Sequence, residues 1–209
     1  KHRRIDILVG TQMVAKGHDF PGITLVGIVC ADLTLNFPDF RSGERTFQLL
    51  AQVAGRAGRG DRSGSVILQT FNADHFSIRA ARQQDFKAFF DQEIGFRKAL
   101  GYPPFTRMIA LRISGKDAQR TADHAATLGG RCRDLLTAAG PYRDRIKVMG
   151  PLEAPLFRIA GQHRWQILVS GSGNATLHRF VHELVFGGSA VHSGGPVRVA
   201  IDVDPFFLM

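Results

Sequence analysis

Two kinds of hydrophobic spacing alternate along the chain. Ile5–Gly10 (IDILVG) and Ile23–Asp32 (ITLVGIVCAD) are nearly unbroken apolar runs that end on turn or polar residues, the pattern of central parallel strands covered on both faces. A short helical turn at Met13–Lys16 (MVAK) separates them. Through Phe40–Gly58, Phe47, Leu50, Ala54 and Ala57 recur at helical spacing, and Gly64–Phe71 (GSVILQTF) returns to the strand pattern. Strand, helix, strand in this order predicts a right-handed crossover in an α/β sheet. His75–Leu100 predicts a continuous helix whose apolar bulk comes from Phe86, Phe89, Phe90 and Phe96.

The rhythm breaks at Gly101–Phe105 (GYPPF), where two consecutive prolines cannot continue a helix and bias their predecessors toward extended backbone. A boundary here divides the chain into a first domain at 1–100, a linker at 101–105 and a second domain at 106–209. Beyond it the pattern predicts strand 107–115, helix 118–140, strands 146–150 and 164–171, helix 175–188 and strand 196–204. That is βαββαβ, the element order of ferredoxin-like α+β domains.

The bulk numbers agree with two domains: 209 residues, of which 44% are hydrophobic, suffice for two modest cores. A net charge of +9 and a pI near 10.4 favour a polyanionic partner such as nucleic acid or nucleotide over an acidic protein. Only Cys30 and Cys132 are present. They are far apart and in apolar or helical settings, which points to buried thiols in a reducing cytoplasm and away from a disulfide framework or a thiolate zinc site. No apolar run approaches the roughly 20 residues needed to span a bilayer, so a soluble protein without a membrane partner is expected. The first residue is Lys1 rather than Met, and a strand pattern follows almost at once; the expectation is a piece of something longer.

Two segments carry the chemistry. On an ideal helix Gln52, Arg56 and Arg59 fall at i, i+4 and i+7, forming one polar stripe of an amide and two guanidiniums. Gly55 and Gly58 leave a flank without side chains, although each glycine costs about 1 kcal/mol of helix stability relative to alanine. The plainer reading is a surface helix ending at Gly58 or Gly60 with arginines near the negative end of its dipole. Facing phosphate oxygens, which guanidinium matches bidentately, gives the same residues a purpose. The other segment, Gly10–Phe20 (GTQMVAKGHDF), follows an expected strand, so Thr11, Gln12, Lys16, Gly17 and Asp19 fall at the carboxyl edge, where α/β sheets bind ligands. Its plainer reading is a polar connection between strands.

ILVGTQMVAKGHDF resembles motif V, and QVAGRAGRG motif VI, of superfamily 2 helicases, in the order found in a second RecA-like lobe. Together with FRSGERTFQLLAQVAGRAGRG, YPPF, MGPLEAP, RWQIL and the terminal DVDP, these segments are similar to the family of primosomal replication-restart DNA helicases over nearly the whole chain. The resemblance implies a partial RecA-like parallel α/β lobe followed by a smaller α+β domain. It implies that Arg56 and Arg59 reach the ATP γ-phosphate with Gln52 beside them, Arg59 being the finger proper. It places Gly17, Asp19 and Gly55 near the nucleotide, and Thr11, with Gln12, Lys16 and Arg164, against DNA. Branched forks, single-stranded DNA, single-stranded DNA-binding protein and other primosome proteins are the implied partners.

The sequence contains neither a phosphate-cradling GxxxxGK[ST] nor an acidic magnesium-holding box. ATP and Mg2+ are therefore expected to bind only the longer parent, and this chain alone is expected not to hydrolyse ATP. The family's zinc sites would lie upstream of Lys1, with no metal held here. Two other readings stay open: a non-catalytic nucleic-acid-binding module whose arginines merely grip phosphates, and the second lobe of another superfamily 2 helicase.

Smaller features have plainer expectations. Trp165 reads as a half-buried strand residue rather than a base-stacking platform, since aromatics are not paired along any strand; Arg158, His163, Arg164 and Gln166 form a basic edge around it. Asp202 and Asp204 share a strand face and read as salt-bridge partners rather than a cation site. His178 and His182 read as solvated helix residues, Tyr102 and Phe105 as packing the interdomain seam, and Ser170–Ser172 as a polar turn.

Overall fold

The computed structural model describes residues 5–11, 23–55, 57, 63–138, 140–187 and 195–208, which form two compact units, Lys1–Gly95 and Phe96–Met209. Both mix helices with sheet: the first unit holds a two-stranded parallel sheet, the second a four-stranded antiparallel one.

In the first unit, β1 (Leu25–Ile28) runs through a 3-10 turn at Leu33–Asn36 into α1 (Ser42–Ala54), and β2 (Ser65–Leu68) then pairs in parallel with β1, Leu25 opposite Ser65 and Ile28 opposite Leu68. The expected strand–helix–strand unit is present, but its strands are short and not covered on both faces. Leu25 remains 59% exposed and Ile67 63%. Ile5–Gly10 is not a strand, and Val9 is 88% exposed. A strand needs a neighbour to take its backbone hydrogen bonds, and among the described residues this run has none.

The expected single helix over His75–Leu100 is two, α2 (Phe76–Gln83) and α3 (Phe86–Leu100). Gln84 adopts a left-handed conformation at φ 53°, its N–H donates to Ala81 O and the Asp85 N–H donates to Ala80 O, a Schellman ending. The Asp85 carboxylate then accepts the Ala88 N–H at 2.9 Å and caps α3. The unit's core joins Phe47 and Leu50 of α1 to Ile78, Ala80 and Ala81 of α2 and Phe89 of α3. The Phe47 and Phe89 rings stack at 4.4 Å. Of the four α3 phenylalanines named above, Phe89 is the buried one, while Phe86, Phe90 and Phe96 stay exposed.

The second unit follows the expected order: β3 (Arg107–Gly115), α4 (Ala118–Thr137), β4 (Ile146–Ile159), β5 (Gln162–Gly171), α5 (Asn174–Phe186) and β6 (Val197–Val203). The sheet order β4-β5-β3-β6, with every pair antiparallel, is the ferredoxin-like arrangement. Alternate residues Ile109, Leu111 and Ile113 of β3 and Ile167 and Val169 of β5 face one core with Leu128 and Cys132 of α4 and Phe180 and Leu184 of α5. β4 is longer than its apolar pattern implies, because register shifts between Met149 and Leu152 and between Glu153 and Arg158 carry it past Pro151 and Pro155. Prolines fit there because β4 is an edge strand. At Gly129 of α4 a Cβ would collide with the Pro151 ring, so the bare backbone lets helix and edge strand approach closely.

Candidate nucleotide and nucleic-acid interface

The start of α1 is fixed by residues that the motif reading passed over. One oxygen of Asp39 accepts the Arg41 N–H at 2.9 Å and the other takes the Arg45 guanidinium at 2.8 Å, with the Asp39 side chain fully buried. The Ser42 hydroxyl donates to Phe37 O, and Thr46, also buried, returns its hydroxyl to Ser42 O. The Arg41 guanidinium lies 4.1 Å above the Phe40 ring. These contacts over Phe37–Thr46, with Phe47 and Leu50 in the core, hold the helix that leads into the glycine- and arginine-rich segment. The legible signal was an aspartate just before the helix with an arginine one turn inside it.

Gln52 lies on the exposed side of the last turn of α1. The helix ends at Ala54, with Gly55 as its cap donating to Ala51 O at 3.1 Å. Gln52 is helical, Gly55 caps the helix, and Ala57 N–H turns back to Ala54 O. The ending has a local reason, since a glycine at this position gains little by continuing the helix. Arg56, Gly58 and Arg59 lie outside the described residues. So do Gln12, Lys16, Gly17 and Asp19, while Thr11 is described and exposed.

Just past the carboxyl ends of β1 and β2, Ala31 N–H donates to Gln69 O at 2.9 Å and buried Asp32 accepts the Phe71 N–H at 3.1 Å. A carboxylate thus ties the two strand ends at the edge where ligands meet α/β sheets. It too went unread, because its partner is distant in sequence.

In the second unit, Arg164 donates to Leu156 O at 3.3 Å, and Trp165 is partly buried against the core. Asp202 and Asp204 pair with Arg112 at 2.8 Å and Arg107 at 3.1 Å. Arg112 also donates to Phe207 O at 2.6 Å, so the terminal segment is fastened to the sheet by the same guanidinium. His178 and His182 are exposed on α5, and Ser170 and Gly171 lie within β5, so the expected polar turn begins after them. Among the described residues no group of three or more potential metal ligands exists and no helix is long and apolar enough to cross a membrane. Burial lowers the His75 pKa where its Nδ1 accepts the Ser77 N–H at the start of α2.

A βαββαβ unit ending in DVDP, preceded by a parallel strand–helix–strand unit with QVAGRAGRG between its helix and its second strand, defines a primosomal carboxyl-terminal module. The family described as Primosomal protein N C-terminal domain matches residues 98–206, and the chain belongs to that family, the family of PriA. Replication restart protein PriA of Bacillus subtilis (strain 168) is 35% identical over 206 residues, 99% of this chain and 25% of the relative. The protein of the same name from Synechocystis sp. (strain ATCC 27184 / PCC 6803 / Kazusa) is 43% identical over 164 residues, 78% of this chain and 19% of the relative. That from Treponema pallidum (strain Nichols) is 39% identical over 202 residues, 97% of this chain and 29% of the relative. The chain thus spans about a quarter of the length of these curated relatives.

Proposed function

We propose that the chain is the carboxyl-terminal part of an ATP-dependent 3′-to-5′ DNA helicase that recognises stalled or branched replication forks and restarts replication there. It contributes most of the second RecA-like lobe and a terminal domain that grips fork DNA. The observation that carries this reading is 35% identity over 99% of the chain to a protein named for replication restart, an extent that takes in both glycine- and basic-residue segments.

Each residue then has a task. Arg59, with Arg56 and Gln52, faces the γ-phosphate and neutralises charge that spreads over the transferring phosphoryl group. Gly17, Asp19 and Gly55 line the nucleotide, and Thr11, Gln12, Lys16 and Arg164 contact DNA. Nucleotide cradle, Mg2+ ligands and zinc sites belong to polypeptide outside this chain. Single-stranded DNA-binding protein and primosome components are its protein partners, and the cytoplasm its compartment.

Strand separation by the full-length protein tests the reading, using forks with either a 3′ or a 5′ single-stranded arm. Unwinding should require ATP and the 3′ arm, whereas the 209-residue chain should bind forks without hydrolysing ATP. A full-length protein that binds forks yet never separates strands would support the non-catalytic alternative instead.

A further inference from the structure

The β4–β5 hairpin carries a feature that neither the motor motifs nor the salt bridges use. Between Glu153 and Arg158 the β4 register shifts against β5, while on the other strand Trp165 pairs with Glu153 and His163 with Arg158. Residues 154–157 therefore bulge outward, and the Arg164 guanidinium holds the bulge through Leu156 O at 3.3 Å. The result is a hollow of about 180 Å3 between the hairpin and the first turns of α4, walled by Phe157, Trp165, Arg164, His163, Glu153 and Gln119.

Its size and lining restrict the occupant. Sites for drug-sized ligands run to roughly 300 Å3 and above, so this hollow suits a single ring system. Phe157 is 57% exposed, and Trp165 lines the same space while also packing against the core. Arg164 gives a nearby phosphate its countercharge, in a chain of net charge +9. Glu153 is the one acidic group on the wall, and a carboxylate accepts from the exocyclic amine of cytosine or adenine. Aromatics are not paired along any one strand; here the bulge brings one ring from β4 and one from β5 to a common hollow.

We propose that this hollow binds one unstacked nucleobase of single-stranded DNA, with its ring against Phe157 and Trp165 and its exocyclic amine toward Glu153. The proposal rests on the reading of the chain as a DNA-binding module and names the substrate element that the terminal domain holds. Trp165 is the only tryptophan in the chain, so its emission reports the hollow directly.

The test titrates the 209-residue chain, at low salt, with dye-labelled homopolymers of dC, dA or dT on the order of ten nucleotides long. Dye anisotropy follows binding and Trp165 emission follows the hollow. Trp165 quenching should track anisotropy, dC and dA should bind tighter than dT, and Glu153→Ala, which removes the acceptor, should erase that preference. Phe157→Ala, a change at an exposed position with circular dichroism as the fold control, should weaken binding about five-fold or more. Anisotropy that rises while Trp165 emission stays constant and Phe157→Ala binds normally would overturn the proposal and leave DNA binding intact. No anisotropy change with any strand or fork would overturn the DNA-binding reading, and the proposal with it.

Discussion

Tyr142 shows what one side chain does in the terminal unit. Its hydroxyl donates to Glu183 at 2.6 Å, and its ring meets Phe180 edge-on at 5.1 Å. Burial first, then the bond to the Glu183 carboxylate, push the phenol up from 10 to about 12. The folded state holds this proton more tightly than the unfolded one, so the contribution to stability is complete below pH 10 and is lost as pH rises from 10 toward 12. Absorbance titration of the two tyrosines should therefore show one phenol ionising only as the unit opens, and Tyr142→Phe should remove that late step and cost about 1 kcal/mol in urea unfolding. Cys132, nearly inaccessible on the core face of α4, has its thiol pushed up to about 11 by burial. A thiol reagent at pH 8 should modify Cys30 in the native protein and reach Cys132 only on unfolding; prompt reaction of both would contradict the buried placement. The burial expected of both thiols holds for Cys132 but not for Cys30, which is only half-buried. The Tyr142–Glu183 bond was not legible in the sequence, because nothing local distinguishes that glutamate from other solvated helix residues.

Elements were legible where pattern and packing agree. In the terminal unit, strand alternation and helical spacing each meet one continuous core, and the expected order is the observed one. In the first unit the apolar runs marked strands correctly at Leu25–Ile28 and Ser65–Leu68, but hydrophobicity alone does not supply the neighbour that Ile5–Gly10 would need. The break between α2 and α3 is a matter of φ at Gln84, which residue type barely signals, although Asp85 three residues before Ala88 was a readable cap. Gly129 tests the helix–edge contact. Alanine there gains about 1 kcal/mol of helix propensity but drives a methyl group into the Pro151 ring, an overpacking that costs about 1–3 kcal/mol. Gly129→Ala should therefore lower stability on balance. Its neighbour is the control, since a Cβ at Gly130 meets nothing nearer than the Arg133 guanidinium at 3.8 Å, and Gly130→Ala should stabilise by up to about 1 kcal/mol. Equal effects in denaturant unfolding would refute the packing account.

At the scale of the molecule, the basic balance pointed to a polyanionic partner and the resemblance of two motif-bearing segments pointed to a nucleotide-driven DNA motor, while family membership is shown over residues 98–206. The fold adds how α1 is anchored: Asp39, Arg45 and the Phe47–Phe89 stack hold it in place where it runs out into QVAGRAGRG. The positive charge predicts that the logarithm of fork affinity falls linearly with the logarithm of salt concentration, which fluorescence anisotropy measures. The arginine finger proposed at Arg59 is tested most directly by DNA-stimulated ATP hydrolysis in full-length protein carrying Arg59→Ala. The account predicts that turnover falls by roughly a thousandfold while fork binding without nucleotide is unchanged; hydrolysis that stays near the wild-type rate would contradict it.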